Sequence, residues 1–199
     1  MAAVIAQGPT VPLPVFLSGG SPDRPVFYSG AVVLPPLMLT GGPAAGKSTT
    51  ARRLAQTKGR CAFIDVDDVR QLVQTGGAAP WHGEEGLTQQ NLGVRNTAAL
   101  ANNFLTAGFD VTLADVITAH TLPLYRALLP GVIVVRLSLP VAEARRRARQ
   151  RAVHLTDAEF EALHRQQLEP LAVDHDVGVG GMSPDEQVDT VNRLWRRPT

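Results

Sequence analysis

The chain has 199 residues, 44% of them apolar, and 19 Lys+Arg against 18 Asp+Glu leave a net charge of +1. That length suits one main globular domain, the apolar content excludes a disordered chain, and the balanced charge speaks against a general nucleic-acid binder, which needs a basic excess. No apolar run approaches the ~18 residues of a membrane span, and no Lys/Arg-rich start precedes an apolar stretch, so a cytoplasmic chain without a membrane partner is expected.

Residues 1–35 are rich in Pro and Gly and carry no helical period. Two short β-prone pieces, 14–17 and 25–28, flank a turn at 18–23, so this extension is expected as a hairpin or a loose arm ahead of a domain at 36–199. From Leu37 the texture changes to short apolar runs alternating with helical patterns. Strands are predicted at 37–40, 62–66, 111–116, 132–137 and 176–179. Helices are predicted at 47–56, 68–74, 87–107, 120–128, 141–153, 157–167 and 184–195. Within the third helix Val94, Ala98, Ala101 and Leu105 recur on one face of a 3.6-residue period. Thr156 with Glu159 forms a capping-box pattern, and Ser183 followed by Pro184 marks another helix start. Continuously apolar strands separated by helices predict a parallel sheet covered on both faces.

The first predicted strand runs into Gly41-Gly42-Pro43-Ala44-Ala45-Gly46-Lys47-Ser48-Thr49 and then into a helix. This is strand, G-x-x-x-x-G-K-S, helix, the context in which the pattern binds nucleotide phosphates. Small residues let the backbone curl so that successive N–H groups face phosphate oxygens, and the helix N-terminus adds partial positive charge. Lys47 is placed to reach the β- and γ-phosphates of ATP, and the Ser48 hydroxyl to ligate Mg²⁺. Only two of the 19 basic residues are lysines, Lys47 and Lys58, which makes a lysine at this position more telling.

Two classes of phosphate-loop protein lack their markers here. Neither lysine follows an asparagine, so the Asn-Lys-x-Asp element of guanine-specific switches is absent. No strand ends in Asp-Glu, the pair that polarises water in oligomeric motor ATPases; the strand ends read Asp67-Asp68 and Asp115-Val116. A carboxylate at the end of the second strand faces the ligand crevice of a parallel sheet, where it can take the proton of an acceptor hydroxyl. Aspartate is also a good helix cap, and Asp67 and Asp68 both stand where a cap would.

Phe63-Ile64-Asp65-Val66-Asp67-Asp68-Val69-Arg70, together with the phosphate loop, resembles the small P-loop kinases and phosphotransferases. That group (AAA_33-like) includes polynucleotide kinases, zeta toxins, gluconate kinases and chloramphenicol phosphotransferases. The resemblance implies an α/β P-loop NTPase fold of the nucleoside/shikimate-kinase type, a three-layer sandwich with a five-stranded parallel sheet. It further implies Asp67 as general base, Arg70 as a substrate-orienting residue, and Asp115 as a Walker-B-like carboxylate near Mg²⁺, directly or through water. The arginines between Arg145 and Arg151 resemble the family lid, with Arg147 and Arg151 on one face at i, i+4. Guanidinium forks suit a transferring phosphoryl group because they bind phosphate bidentately. Trp81 and Glu84 fall where relatives recognise the acceptor. The expected activity is transfer of the γ-phosphate of ATP to a hydroxyl of a small molecule, such as a sugar acid, nucleoside or antibiotic. A polynucleotide 5′-hydroxyl, a nucleotide sugar, or no acceptor at all in a non-catalytic ATP-binding module are the alternatives.

Overall fold

The computed structural model describes residues 33–149, 156–166 and 169–196. The expected hairpin within residues 1–32 lies outside these, as do Arg151 and His154. Five strands form one sheet: β1 (Leu37–Thr40), β2 (Cys61–Asp65), β3 (Asp110–Ala114), β4 (Ile133–Ser138) and β5 (His175–Gly178). Their order is β2-β3-β1-β4-β5 and every pairing is parallel. The helices are α1 (Lys47–Gln56), α2 (Val66–Arg70), α3 (Gly83–Thr106), α4 (Leu122–Leu128), α5 (Val141–Ala148), α6 (Asp157–Gln166) and α7 (Pro184–Arg196). The predicted doubly covered sheet is therefore the observed one.

Strand β1 is central and its four residues are all buried, so its side chains feed both layers with a period of two. Leu37 and Leu39 join α1, α5, α6 and α7 through Leu54, Ala144, Phe160, Val191 and Trp195. Met38 points the other way, among Val94 and Ala98 of α3 and Tyr125 of α4. Side chains of this size each stabilise the fold by roughly 1.5–3 kcal/mol when removed from water. The chain just before β1 is tied into the same body. Leu34 N donates to Asp110 Oδ1 at 2.8 Å, and Trp195 Nε1 donates to the Pro35 carbonyl at 2.7 Å.

Two boundaries move for a physical reason. Strand β2 stops at Asp65 because that side chain accepts a hydrogen bond from Asp67 N (3.3 Å) and caps α2. Asp67 thus stands in the first turn of a short helix rather than at a strand end. Helix α3 starts at Gly83 instead of 87, which brings Glu84 and Glu85 into its first turn, where the helix dipole favours them. From β1 the chain crosses to the far edge strand β2, and after β3 it crosses back over β1 to β4. The switch in direction lies beside β1, so the crevice at its C-terminal end is the ligand position of this topology.

Candidate functional site

The loop leaving β1 needs glycine at both ends. Gly41 has φ +141°, and a Cβ there would stand 2.3 Å from the Leu137 carbonyl oxygen of β4. Gly46 caps α1 with φ +93°, in the left-handed region that favours glycine. Gln187 of α7 braces the loop from behind, donating from Nε2 to the Ala45 carbonyl at 3.0 Å. Lys47 curls back over the loop, its Nζ donating to the carbonyls of Gly41 (2.9 Å) and Gly42 (3.1 Å). Burial lowers the Lys47 pKa below its ordinary value, while the nearby charges of Asp67, Asp115 and Asp65 pull it the other way. Ser48, half-buried, follows in the first turn of α1 beside Thr49. Pro43 and Ala44 form the crest of the loop, and Ala44 adopts a left-handed φ of +60°.

Beyond the lysine lies a connected set of charges. Arg70, at the end of α2, holds Asp115 bidentately: Nη1 to Oδ1 at 2.7 Å and Nη2 to Oδ2 at 3.0 Å. The same Nη1 reaches Asp67 Oδ1 at 3.1 Å. Asp115 also accepts from Tyr125 Oη (2.7 Å) and Val116 N (2.7 Å). Burial alone would lower the Arg70 pKa; the Asp115 carboxylate outweighs it and raises the value. Burial, then the Asp115 charge, raises the Tyr125 hydroxyl well above its ordinary value. The side chain of Asp115 is wholly buried, whereas that of Asp67 is 70% exposed.

The expected metal-facing Asp115 therefore has both oxygens engaged by protein donors, and direct metal ligation requires Arg70 or Tyr125 to release one. Asp67, Arg70, Asp115 and Lys47 are brought together as a cluster. Trp81 and Glu84 stand on the surface at the start of α3, Trp81 edge-to-face with His82 at 6.3 Å. In α5, Arg147 donates from Nε to Glu143 Oε1 (2.9 Å) and from Nη2 to the Val179 carbonyl (3.1 Å), linking this helix to the segment after β5. Hydrogen bonds from Arg146 and Arg147 hold the Glu143 carboxyl down to about 2.

Several site residues escape a reading by motif. Tyr125 and Gln187 belong to no local pattern, and only the packing of α4 and α7 brings them in. Gly93 left a trace, as a glycine in mid-helix: a Cβ there would lie 3.1 Å from Arg70 Cγ, so its absence makes room for the arginine. A cleft of about 580 Å³ opens between the loop, the ends of β4 and β5, and α6, lined by Gly42, Ser138, Pro140, His164 and Gly180 among others.

A family profile described as an AAA domain matches residues 37–170, about two thirds of the chain. The chain belongs to the AAA_33 family. This family assignment covers β1, the loop and the whole Lys47–Asp67–Arg70–Asp115 cluster. No curated protein matches the chain. Among solved structures, a sugar kinase from Janibacter superposes with a TM-score of 0.60 at 20% identity, over 82% of this chain and 94% of that one. The APS kinase of Mycobacterium tuberculosis gives 0.62 at 18% identity, over 83% and 99%. A gluconokinase from Sinorhizobium meliloti gives 0.57 at 15% identity, over 81% and 94%. At these identities the likeness shows the fold, which is that of the small P-loop kinases.

Proposed function

We propose that this AAA_33 protein is an ATP-dependent phosphotransferase that moves the γ-phosphate of ATP to a hydroxyl of a small molecule. The observation that carries the reading is the Lys47 ammonium, held on the loop carbonyls and in the field of Asp67, Asp115 and Asp65. Nucleotide phosphates satisfy this lysine, and the exposed Asp67 is left to accept the acceptor's proton beside them. The kinase neighbours support the same class of reaction.

Among the described residues no group of three His, Cys, Asp or Glu forms a metal cage. That fits Mg²⁺, which keeps several waters and takes few protein ligands besides substrate phosphates. Ser48 would hold it, with Asp115 acting through water. When bound, the ion neutralises charge on the transferring phosphoryl group. Arg147 stands on the lid helix with its guanidinium at the segment after β5, and closure of such a lid excludes water from the transfer.

Charge favours a small acceptor over a polynucleotide. From Asp65 to Glu85 the chain carries five carboxylates and one cation, Arg70, which is already paired with Asp115. A single strand of phosphates would meet repulsion there rather than a basic channel. The test is ADP release with Mg²⁺-ATP across sugar acids, nucleosides, oligonucleotides, nucleotide sugars and hydroxylated antibiotics, beside Asp67→Asn. Stimulation by a small acceptor, lost in Asp67→Asn while ATP affinity stays within a few-fold, is the expected result. Unchanged turnover in that variant removes Asp67 as the base. Tight ATP binding with no stimulated turnover across the panel favours a nucleotide-gated binding module.

A further inference from the structure

We propose that His164, on α6, is a phosphate contact of the nucleotide site, donating from Nδ1 to the phosphate chain held by the loop that follows β1. The inference rests on the nucleotide-binding part of the function proposed above. It begins with an unmet hydrogen bond. The His164 side chain is more than nine-tenths buried, and its Nδ1 has no hydrogen-bond partner. A buried imidazole nitrogen without a partner is a cost that a native fold ordinarily avoids, and it calls for a ligand or a function.

The place of that nitrogen says which ligand. A Cβ added to Gly42 would lie 2.9 Å from Nδ1, so the ring edge rests on the phosphate loop itself, at its second residue. Glycine at 42 is what admits the ring. Nδ1 of His164 is also the unpartnered buried side-chain nitrogen among the described residues that line the 580 Å³ cleft. Besides Arg136 and Ser138, the rest of the cleft wall is apolar or glycine, with Leu137, Leu139 and Pro140 on the β4 side and Gly178 and Gly180 on the β5 side. Such a wall suits a flat base and leaves polar recognition to a few groups.

The ring is also held in place. It lies parallel to Phe160 one turn earlier on α6, with centroids 6.4 Å apart and planes within 3°. Phe160 in turn belongs to the core cluster of β1 and β4. A ring oriented by the core and set edge-on to the loop is preorganised, so little rotamer entropy is lost when the anion arrives. The α6 helix follows the arginine-bearing α5, to which it is joined by the Arg145–Glu161 pair, so a contact at His164 would couple phosphate binding to the lid helix.

The experiment measures Mg²⁺-ATP, ADP and adenosine affinities by calorimetry on the full chain and two variants. His164→Phe keeps an aromatic ring against Phe160 and removes both nitrogens. His164→Asn puts an amide nitrogen at the position of Nδ1. Expected are a five- to twentyfold loss of ATP and ADP affinity in His164→Phe, unchanged adenosine binding, and ATP affinity within threefold of wild type in His164→Asn. Melting without ligand establishes that each variant is folded. If the Phe chain does not fold, His164→Gln, whose amide falls at the Nε2 position, is read the same way. Undiminished ATP binding in the Phe variant, or equal loss for ATP and adenosine, overturns the contact. So does a loss in the Asn variant as large as in the Phe variant. A wild-type chain that binds neither nucleotide overturns the contact and the nucleotide-binding reading together, which separates the two failures.

Discussion

Arg70 and Asp115 face each other fork to fork, at 2.7 and 3.0 Å, with the carboxylate wholly buried and the guanidinium 24% exposed. The pair joins the end of α2 to the end of β3 and sets where Asp67 stands, since one Arg70 nitrogen serves both acids. Asp115→Ala leaves a mostly buried cation with the exposed Asp67 as its remaining acidic partner. Removing one member of a buried pair costs about 3–5 kcal/mol, and the partial exposure of Arg70 places this case near the lower figure. Urea unfolding checks it; a change under about 1 kcal/mol would mean that solvent already carries Arg70.

Tyr125 supplies the third side-chain bond to Asp115. Tyr125→Phe removes a buried hydroxyl from a carboxylate that keeps Arg70 and Val116 N, and no cavity forms. A hydrogen bond to a charged group contributes about 1.5–3 kcal/mol, so a loss of that order in urea unfolding is expected. ATP affinity should stay within twofold in calorimetry, because the Tyr125 hydroxyl bonds to Asp115 and not to the phosphate loop.

Lys47 predicts a pH dependence. Its pKa in the fold lies below the unfolded value of 10.5, chiefly through burial. Between the lowered value and 10.5 the unfolded chain binds a proton that the native chain does not, so stability from this group rises with pH across that window. Comparing urea midpoints of wild type and Lys47→Met up to pH 10.5 should show the wild type gaining on the variant. Parallel curves would mean that the ammonium is solvated. Lys47→Ala should in addition abolish ATP binding.

Gly41→Ala tests the loop's close approach to β4. A Cβ would fall 2.3 Å from the Leu137 carbonyl oxygen, at a φ of +141° that side chains rarely adopt. Overpacking of this kind costs about 1–3 kcal/mol, and the shift needed to relieve it moves the loop amides away from the phosphates. Both lowered stability and lost ATP binding are expected; retention of full affinity would show that the loop relaxes freely.

The phosphate loop, the parallel sheet and the alternation of its elements could be read from residues close together in the chain. The loop is recognised locally, since its glycines, lysine and hydroxyl all fall within the eight residues from Gly41 to Ser48. Strand β1 betrays its central place because residues buried on both faces are apolar without a break. The roles around Arg70 could not be read in this way. Asp115 lies 45 positions from Arg70 and Tyr125 55, and only the β2-β3-β1 order brings their carriers together. An aspartate at a strand end looks the same whether it meets a metal or an arginine, since the partner that takes its oxygens comes from another element. Asp65 against Asp67 was decided by one local bond, the cap to Asp67 N, which pattern alone leaves open. His164 and Gln187 reach the loop across long stretches of chain, through helices whose own sequence speaks only of amphipathic packing. Sequence determined the chemistry that the loop can hold; tertiary structure decided which charges face it, because burial and pairing depend on what the fold lays alongside.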